Sequence, residues 1–325
     1  MTAQQTGLLD VIALQFDGSG GAQAVDPAHL STDTGAFSWL HLRRDHPGAE
    51  RLLETCGLDE YVVKALTAEE TRPRCTVHGR GVVLNLRGVN LNPGAEPEDM
   101  VSVRLWLEPG RIVGVWVRPL VAVADLVAAI ERGDGPRTVG GFVADLALRL
   151  ADRAEPAIAG LNERIDAIEE AMLESQPDIA RGELAGLRRA AILLRRYLVP
   201  QRDALTTLDI ESRGWMQEDD RAHLREAAER MLRLGEELDA IRDRAQVVHD
   251  QVMDQRAEGM NRRMLVLSVV AAIFLPLGLL TGLLGINVGG VPGVNDPHAF
   301  AIVCALLVAM GIVLFIWFRR IGMFR

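Results

Sequence analysis

The sequence predicts an α+β domain followed by long stalk helices and two membrane-spanning helices. Short runs with a two-residue apolar period dominate the chain up to about residue 135. A helical period then continues from about residue 139 to 256, and two long stretches near the C-terminus lack charged residues. We therefore expect a cytoplasmic α/β domain (1–138), a helical region with the stalk helix (139–260) and a transmembrane domain (261–325).

The first region alternates β-rich and helical runs. The strand-like runs are LDVIALQFDG, GAFSWLHL, TVHGRGVVLNLRGVNL and MVSVRLWLEPGRIVGVWVRP. In the last of these, EPGR separates two alternating segments and predicts a β-hairpin. The runs AERLLETCG and LDEYVVKALTAEE have helical spacing, with Gly57 as the stop signal of the former. These patterns indicate an α/β domain and leave the strand order open.

The second region is predicted to contain helices only. The first begins at about residue 139, and the second runs from about 178 to 208, with a bend at Pro200. In the third, apolar or small residues keep heptad spacing, which predicts packing against other helices. These residues are Leu224, Ala227, Met231, Leu234, Leu238, Ile241, Ala245, Val248 and Val252. Only single glycines interrupt the pattern that follows, so one helix from about 218 to 284 is expected, roughly 100 Å long.

Two apolar stretches, 264–284 and 300–318, are long enough to cross a bilayer, at about 21 and 19 residues. The N-terminus lacks the basic segment of a cleavable signal, so we expect the large first part to stay in the cytoplasm. Basic residues flank both spans on the side away from the connecting loop, which predicts cytoplasmic N- and C-termini. They are Arg256, Arg262, Arg263, Arg319, Arg320 and Arg325.

Small and polar residues share one face of the first span. The recurrence at three or four residues places them on a single stripe, which extends towards the cytoplasm. Two interpretations stay open: close helix packing through the GLLTG motif, or the wall of a pore. Two helices cannot enclose a water-filled path, so a pore requires several copies of the chain. The candidate pore-lining residues are Asn261, Met264, Leu267, Ser268, Ala271, Leu275, Gly278 and Gly282.

The tripeptide Gly285, Ile286 and Asn287 follows the last apolar turn of that helix. One Asn287 per copy would place a ring of amide oxygens at the outer mouth. Such oxygens accept hydrogen bonds from the water shell of a divalent cation, so Asn287 would contact the metal through its hydration water. Alternatively, the tripeptide is only a turn in which asparagine tolerates unusual backbone angles.

The sequence gives little indication of nucleic-acid binding, of enzyme activity or of a bound metal site. The net charge of −9 argues against nucleic acid as a partner and suits cations. Three separated cysteines form no CxxC pair, and HExxH, GxSxG and GxxxxGK[ST] do not occur, so neither an enzyme nor a bound cofactor is expected. In HLRRDHPG, we expect His41, Asp45 and His46 to lie in a solvated turn rather than a metal site.

The chain resembles the CorA-type metal ion transporter superfamily, and within it the branch of zinc transporters called ZntB. The match is carried by MNRRMLVLSVVAAIFLPLGLLTGLLGINVGGVPG, in which Gly-Ile-Asn stands where magnesium-transporting members have Gly-Met-Asn. Upstream, TRPRC and LLRRYLVPQRDALTTL also look like this family. The resemblance implies a homopentamer in a bacterial inner membrane, with an α/β funnel, a pore lined by the first span and an outer ring of second spans.

It also implies Zn²⁺ uptake into the cytoplasm, for which proton coupling has been proposed in this branch. The alternative within the superfamily is a Mg²⁺, Co²⁺ or Ni²⁺ channel. The stripe carries no zinc ligand of the usual kind, so only Asp296 and His298 in the outer loop could bind the ion more strongly or titrate near neutral pH. A different class, a membrane-anchored sensor whose spans only tether a binding domain, also stays open. Expected partners are further copies of the chain, the lipid bilayer and divalent cations.

Overall fold

The computed structural model describes residues 10–27, 30, 36–69, 72–173, 177–212, 215–286, 293 and 296–321. The chain divides into two units, Met1–His249 and Asp250–Arg325. The predicted fold class is confirmed: a mixed α/β unit precedes long helices, and the second unit is helical. The helices are α1 (Ala49–Thr55), α2 (Glu60–Thr67), α3 (Val121–Glu131), α4 (Val139–Leu173), α5 (Pro177–Glu211), α6 (Glu218–Leu284) and α7 (Ala299–Arg320).

The first unit is built on a seven-stranded sheet with the order β2-β1-β3-β7-β6-β5-β4. Neighbouring strands pair antiparallel except β3 and β7, which are parallel. The hairpin predicted at EPGR is confirmed, since Glu108 pairs with Arg111 and Gly110 takes the left-handed conformation at φ 83°. The strands are β1 (Val11–Phe16), β2 (Ala22–Ala24), β3 (Phe37–Arg43), β4 (Arg74–His78), β5 (Gly81–Gly88), β6 (Val101–Glu108) and β7 (Arg111–Trp116).

Helices cover both faces of this sheet because both faces are apolar. On one face, Leu53 of α1 and Leu66 of α2 belong to the same buried cluster as Leu40, Trp106 and Val113 of the strands. On the other, Phe142 of α4 makes edge contacts with the rings of Phe16, Phe37 and Trp39. Alternation along β3 sends Leu40 and Trp39 to opposite faces. The core therefore has two layers, one on each side of the sheet.

The long helices begin and end close to the positions that the sequence predicts. Helix α6 spans Glu218–Leu284, which matches the predicted single helix of 67 residues. Its start is joined to the start of α4, because Thr138 Oγ1 donates a 2.6 Å hydrogen bond to the Asp220 carboxylate and accepts one from the Gly141 amide. The predicted helix stop at Gly57 is also confirmed by its positive φ of 69°.

His41 corrects one expectation. It is not in a solvated turn: it lies in β3, is only 3% exposed, and its ring lies beside Trp39 and Trp116. Asp45 and His46 follow in the turn. The local run HLRRDHPG is polar, but strand alternation directs His41 into the same buried layer as Phe37 and Trp39. Burial in these apolar surroundings lowers the pKa of His41 from 6.5 to about 3.

Candidate functional site

The candidate site lies in the second unit, on the C-terminal part of α6. Two of the described helices, α6 and α7, are long and apolar enough to cross a membrane. The apolar part of α6 forms because leucine, alanine and other good helix formers fill it, and Pro276 is accommodated within the helix. The sequence therefore places the predicted stripe on a regular helix, where spacing fixes which side chains share a face.

All eight predicted pore-lining residues are exposed on α6. Leu267 and Leu275 are each 71% exposed, and Met264 is 52% exposed. A Cβ added at Gly278 or Gly282 would meet nothing within 4 Å. The stripe is thus an open surface of the chain, from Asn261 near the basic residues to Gly282 near the far end of the helix.

The opposite side of α6 is the covered one. Val269 is only 5% exposed, and at 3.6 residues per turn it lies about 150° around the helix from the middle of the stripe. The half-buried residues of this stretch share its side of the helix. They are Ala272, Ile273, Pro276, Leu277 and Leu280.

Helix α7 has a matching stripe. Its less exposed residues recur at three, four or seven positions, and they end at the buried Phe318. They are Ala299, Val303, Leu307, Met310, Gly311, Leu314 and Phe318. The two partly covered faces indicate that the spans pack through the side of α6 that lies away from the predicted pore face. The chain's own second span therefore leaves that face free.

The end of α6 has few groups that could bind an ion. Thr281 Oγ1 donates back to the carbonyl oxygens of Leu277 and Gly278, at 3.0 and 3.1 Å. Gly285 donates its amide to the Thr281 carbonyl at 2.9 Å, and Ile286 is 49% exposed. Asn287, the predicted mouth residue, lies outside the described residues. The hydroxyl that stands one turn from Gly278 is thus turned to the helix backbone.

Asp296 and His298 lie together at the start of α7. The Asp296 carboxylate accepts a 2.8 Å hydrogen bond from the His298 amide, and its oxygen is 3.6 Å from His298 Nδ1. Both side chains are exposed. Within the described ranges, no group of three His, Cys, Asp or Glu side chains could hold a metal ion. This pair can attract a cation but does not by itself form a tetrahedral zinc site.

One charged side chain of the first unit escaped sequence reasoning. Arg104 stands in VSVRLWLE, where alternation alone would put an arginine on an exposed face, yet it is 1% exposed. The signal that could have revealed it is the apolar character of both faces of β6. An arginine in a strand that is covered on both sides must be buried, and a buried charge needs a compensating partner.

Comparisons with known proteins agree with this architecture. Residues 34–320 match the family model described as CorA-like Mg²⁺ transporter protein. The divalent cation transporter CmaX of Pseudomonas aeruginosa is 43% identical over 290 residues, covering 87% of this chain and 86% of that protein. The zinc transport protein ZntB of Yersinia enterocolitica is 36% identical over 311 residues, covering 95% of this chain and 94% of that protein.

The fold also matches a solved structure. The full-length CmaX protein has a TM-score of 0.82 with this chain at 39% identity, covering 96% of this chain and 97% of that one. The family match, the two relatives and this structure extend across both the α/β unit and the helices described above. The chain therefore belongs to the CorA-like Mg²⁺ transporter family.

Proposed function

We propose that this CorA-family divalent cation transporter carries Zn²⁺ into the cytoplasm through a central pore, which several copies of the chain build together. Each copy contributes the stripe from Asn261 to Gly282, with Gly285, Ile286 and Asn287 at the outer mouth. The observation that carries the proposal is the placement of the stripe: it is exposed, and the partly covered side of α6 lies opposite to it.

The small members of the stripe leave space beside the helix that water can fill. An ion without its hydration shell would pay tens of kcal/mol in hydrocarbon, so a conducting path must hold water. Glycine, alanine and serine side chains leave room for a hydrated ion between neighbouring copies. The family resemblance supports five copies around the axis, with the second spans outside, both termini in the cytoplasm and the inner membrane as the location.

The choice of Zn²⁺ rests on the Gly-Ile-Asn tripeptide and on the similarity to ZntB. The stripe offers amide, hydroxyl and thioether groups but no imidazole, thiolate or carboxylate, so zinc would pass with its water shell. One observation favours the alternative, a Mg²⁺, Co²⁺ or Ni²⁺ channel: the family model is named for Mg²⁺. The 43% identical relative is named for divalent cations in general, which fits either ion preference.

Proton coupling would require a titratable group beside the path. In the outer loop, His298 and Asp296 are exposed and lie next to each other. At the inner end, Asp254 and Glu258 are exposed on α6 just before Asn261. We propose that the outer pair concentrates cations at the mouth.

Reconstitution in liposomes tests the transported ion. We expect Zn²⁺ influx, measured with an encapsulated dye, to exceed Mg²⁺ influx at equal concentration and to rise when the outside is made more acidic. Faster Mg²⁺ influx that ignores the pH gradient would favour the alternative channel. If correctly folded and inserted protein carried neither ion, the result would contradict transport altogether and favour a membrane-anchored sensor.

Replacing Asn287 with alanine tests whether this residue discriminates between ions at the outer mouth. We expect Asn287→Ala to change the ratio of Zn²⁺ to Mg²⁺ influx by about threefold or more, because an amide acceptor for the ion's water shell is lost from every copy. Asn295→Ala, which removes an amide from the same outer loop, is the matched control and should leave the ratio unchanged. An unaltered ratio in Asn287→Ala would show that discrimination takes place elsewhere.

A further inference from the structure

Four arginines flank the two membrane-spanning segments on one side. Arg262 and Arg263 directly precede the apolar stretch of α6, and Arg319 and Arg320 directly follow that of α7. Each stretch is roughly 30 Å long as a helix, so both pairs fall at the boundary between hydrocarbon and lipid headgroups. From residue 259 to the end of the sequence, Asp296 is the only acidic residue, and it precedes α7, at the opposite end of the spans.

The charge of these four arginines is not neutralised by the described part of the chain. All four are exposed, and none forms a hydrogen bond or an ion pair with another described residue. Glu258, which lies one turn before Arg262 on α6, makes no contact of this kind with it. The arginines of the long helices in the first unit differ in this respect: Arg195 of α5, for example, is 2.6 Å from the Asp239 carboxylate of α6.

The two arginines of α6 lie off the predicted pore face. Arg262 precedes Val269 by seven residues, which is about 20° short of two full turns, so it lies on the covered side of α6. Arg263 lies about 120° around the helix from Val269 and about 100° from the middle of the stripe. Neither side chain therefore lines the proposed pore, and both are exposed.

The end of α7 lies on the same side of α6 as Arg262. The most covered residues of the two spans are Val269, which is 5% exposed, and Phe318, which is 6% exposed. Because the covered faces of the spans pack together, the arginine pair that follows Phe318 lies near Arg262 at the same membrane boundary. Trp317 is 55% exposed beside Phe318, and an exposed tryptophan at this level is typical of the headgroup region.

We propose that this basic cluster, made of Arg262, Arg263, Arg319 and Arg320, binds the phosphate groups of anionic phospholipids. A guanidinium donates two parallel hydrogen bonds to a phosphate, and the apolar stem of arginine packs along hydrocarbon while its charge reaches the headgroups. A zwitterionic headgroup carries a cation beside its phosphate, whereas a headgroup with net negative charge offsets the charge of the cluster. The bound lipid would hold the ends of α6 and α7 together, whichever metal ion is transported.

Trp317 allows a direct test in the full-length protein. It is the only tryptophan of the sequence after residue 249, so lipid at the ends of the spans quenches its fluorescence and not that of the first unit. The protein is reconstituted in vesicles of phosphatidylcholine and phosphatidylglycerol, with one or the other lipid brominated on its acyl chains near the headgroup. We expect phosphatidylglycerol to bind beside Trp317 at least about fivefold more strongly than phosphatidylcholine, which corresponds to one arginine contact.

Two double variants test whether the arginines cause this preference. Arg262→Gln with Arg263→Gln, and Arg319→Gln with Arg320→Gln, should each reduce the preference for phosphatidylglycerol by about fivefold or to none. The matched control combines Arg189→Gln and Arg233→Gln, which remove the same charge from exposed positions of α5 and α6 in the first unit. The control should keep the preference of the wild type.

Equal quenching by the two brominated lipids in the wild type would overturn the proposal, as would a full preference in both double variants. If the double variants do not fold, Arg320→Gln alone, at the exposed end of α7, decides the matter by the same measurement. Glycerol phosphate, added to the vesicles at constant ionic strength, distinguishes a soluble phosphate from a lipid. Loss of the preference in its presence would assign the cluster to soluble phosphates and contradict lipid binding. Ion flux is not part of this test, so its failure would leave the proposed pore unaffected.

Discussion

Gly278→Leu should reduce divalent cation influx by at least about tenfold. A leucine at this position adds an isobutyl group from every copy at the same level of the pore, and the several groups together would close a path that a hydrated ion needs. A Cβ added at Gly278 would meet no side chain and no other segment of the chain within 4 Å, so the substitution begins from an open position. Influx of Zn²⁺ and Mg²⁺ into liposomes measures the effect.

Ala309→Leu is the matched control. It adds a similar side chain at an exposed position of α7, which the proposal assigns to the outer ring. We expect its flux to stay close to that of the wild type, with the same oligomeric state in both variants by size-exclusion chromatography. Equal flux in Gly278→Leu and the wild type would mean that the stripe faces lipid, and the pore proposal would fail.

Acidification should destabilise the first unit through His41. In the folded protein the imidazole stays neutral until about pH 3, whereas in the unfolded chain it takes up a proton near pH 6.5. The unfolded state therefore binds more protons between these values, and the free energy of unfolding falls as the pH decreases from 6.5 towards 3. The expected slope from this one group approaches about 1.4 kcal/mol per pH unit.

His41→Gln removes the titrating group and should flatten this part of the pH dependence. The side chain of His41 packs tightly against Gly114, because a Cβ added there would collide with His41 Nδ1. Glutamine is similar in size to histidine and is therefore chosen for the same space. Thermal unfolding of the full-length protein between pH 4.5 and 7.5, followed by tryptophan fluorescence, gives the comparison. His223→Gln, at an exposed position of α6, should keep the wild-type slope. Parallel curves for wild type and His41→Gln would contradict the assignment.

Local signals were sufficient for the elements that depend on nearby residues. The hairpin at Gly110, the helix stop at Gly57 and the extent of α6 follow from turn chemistry and apolar spacing within one segment. The strand order does not, because the parallel pairing of β3 with β7 joins residues about 70 positions apart along the chain. Such a pairing depends on the packing of the whole domain.

For the candidate site as well, the sequence predicted what depends on nearby residues and not what depends on distant ones. Spacing along the helix defined which residues share the stripe, but only the burial of Val269 and its neighbours showed that the stripe lies away from the covered side. Arg104 and His41 were missed for a related reason. A polar residue in a strand is ordinarily assigned to solvent. Arg104 and His41 lie on opposite faces of the sheet, and both faces are covered by segments that lie far away in the sequence.

The Thr281 hydroxyl, turned back onto the carbonyls of Leu277 and Gly278, bears on the speed of permeation. From Ser268 to its end at Gly282 the stripe offers no further side-chain oxygen, over a length of about 21 Å. An ion crossing this length would exchange none of its inner-sphere waters with the wall. Its passage through this stretch would then depend on diffusion of the intact aquo complex, so that metals with very different ligand-exchange kinetics would cross the stretch at comparable rates and selection between them would fall to the outer mouth.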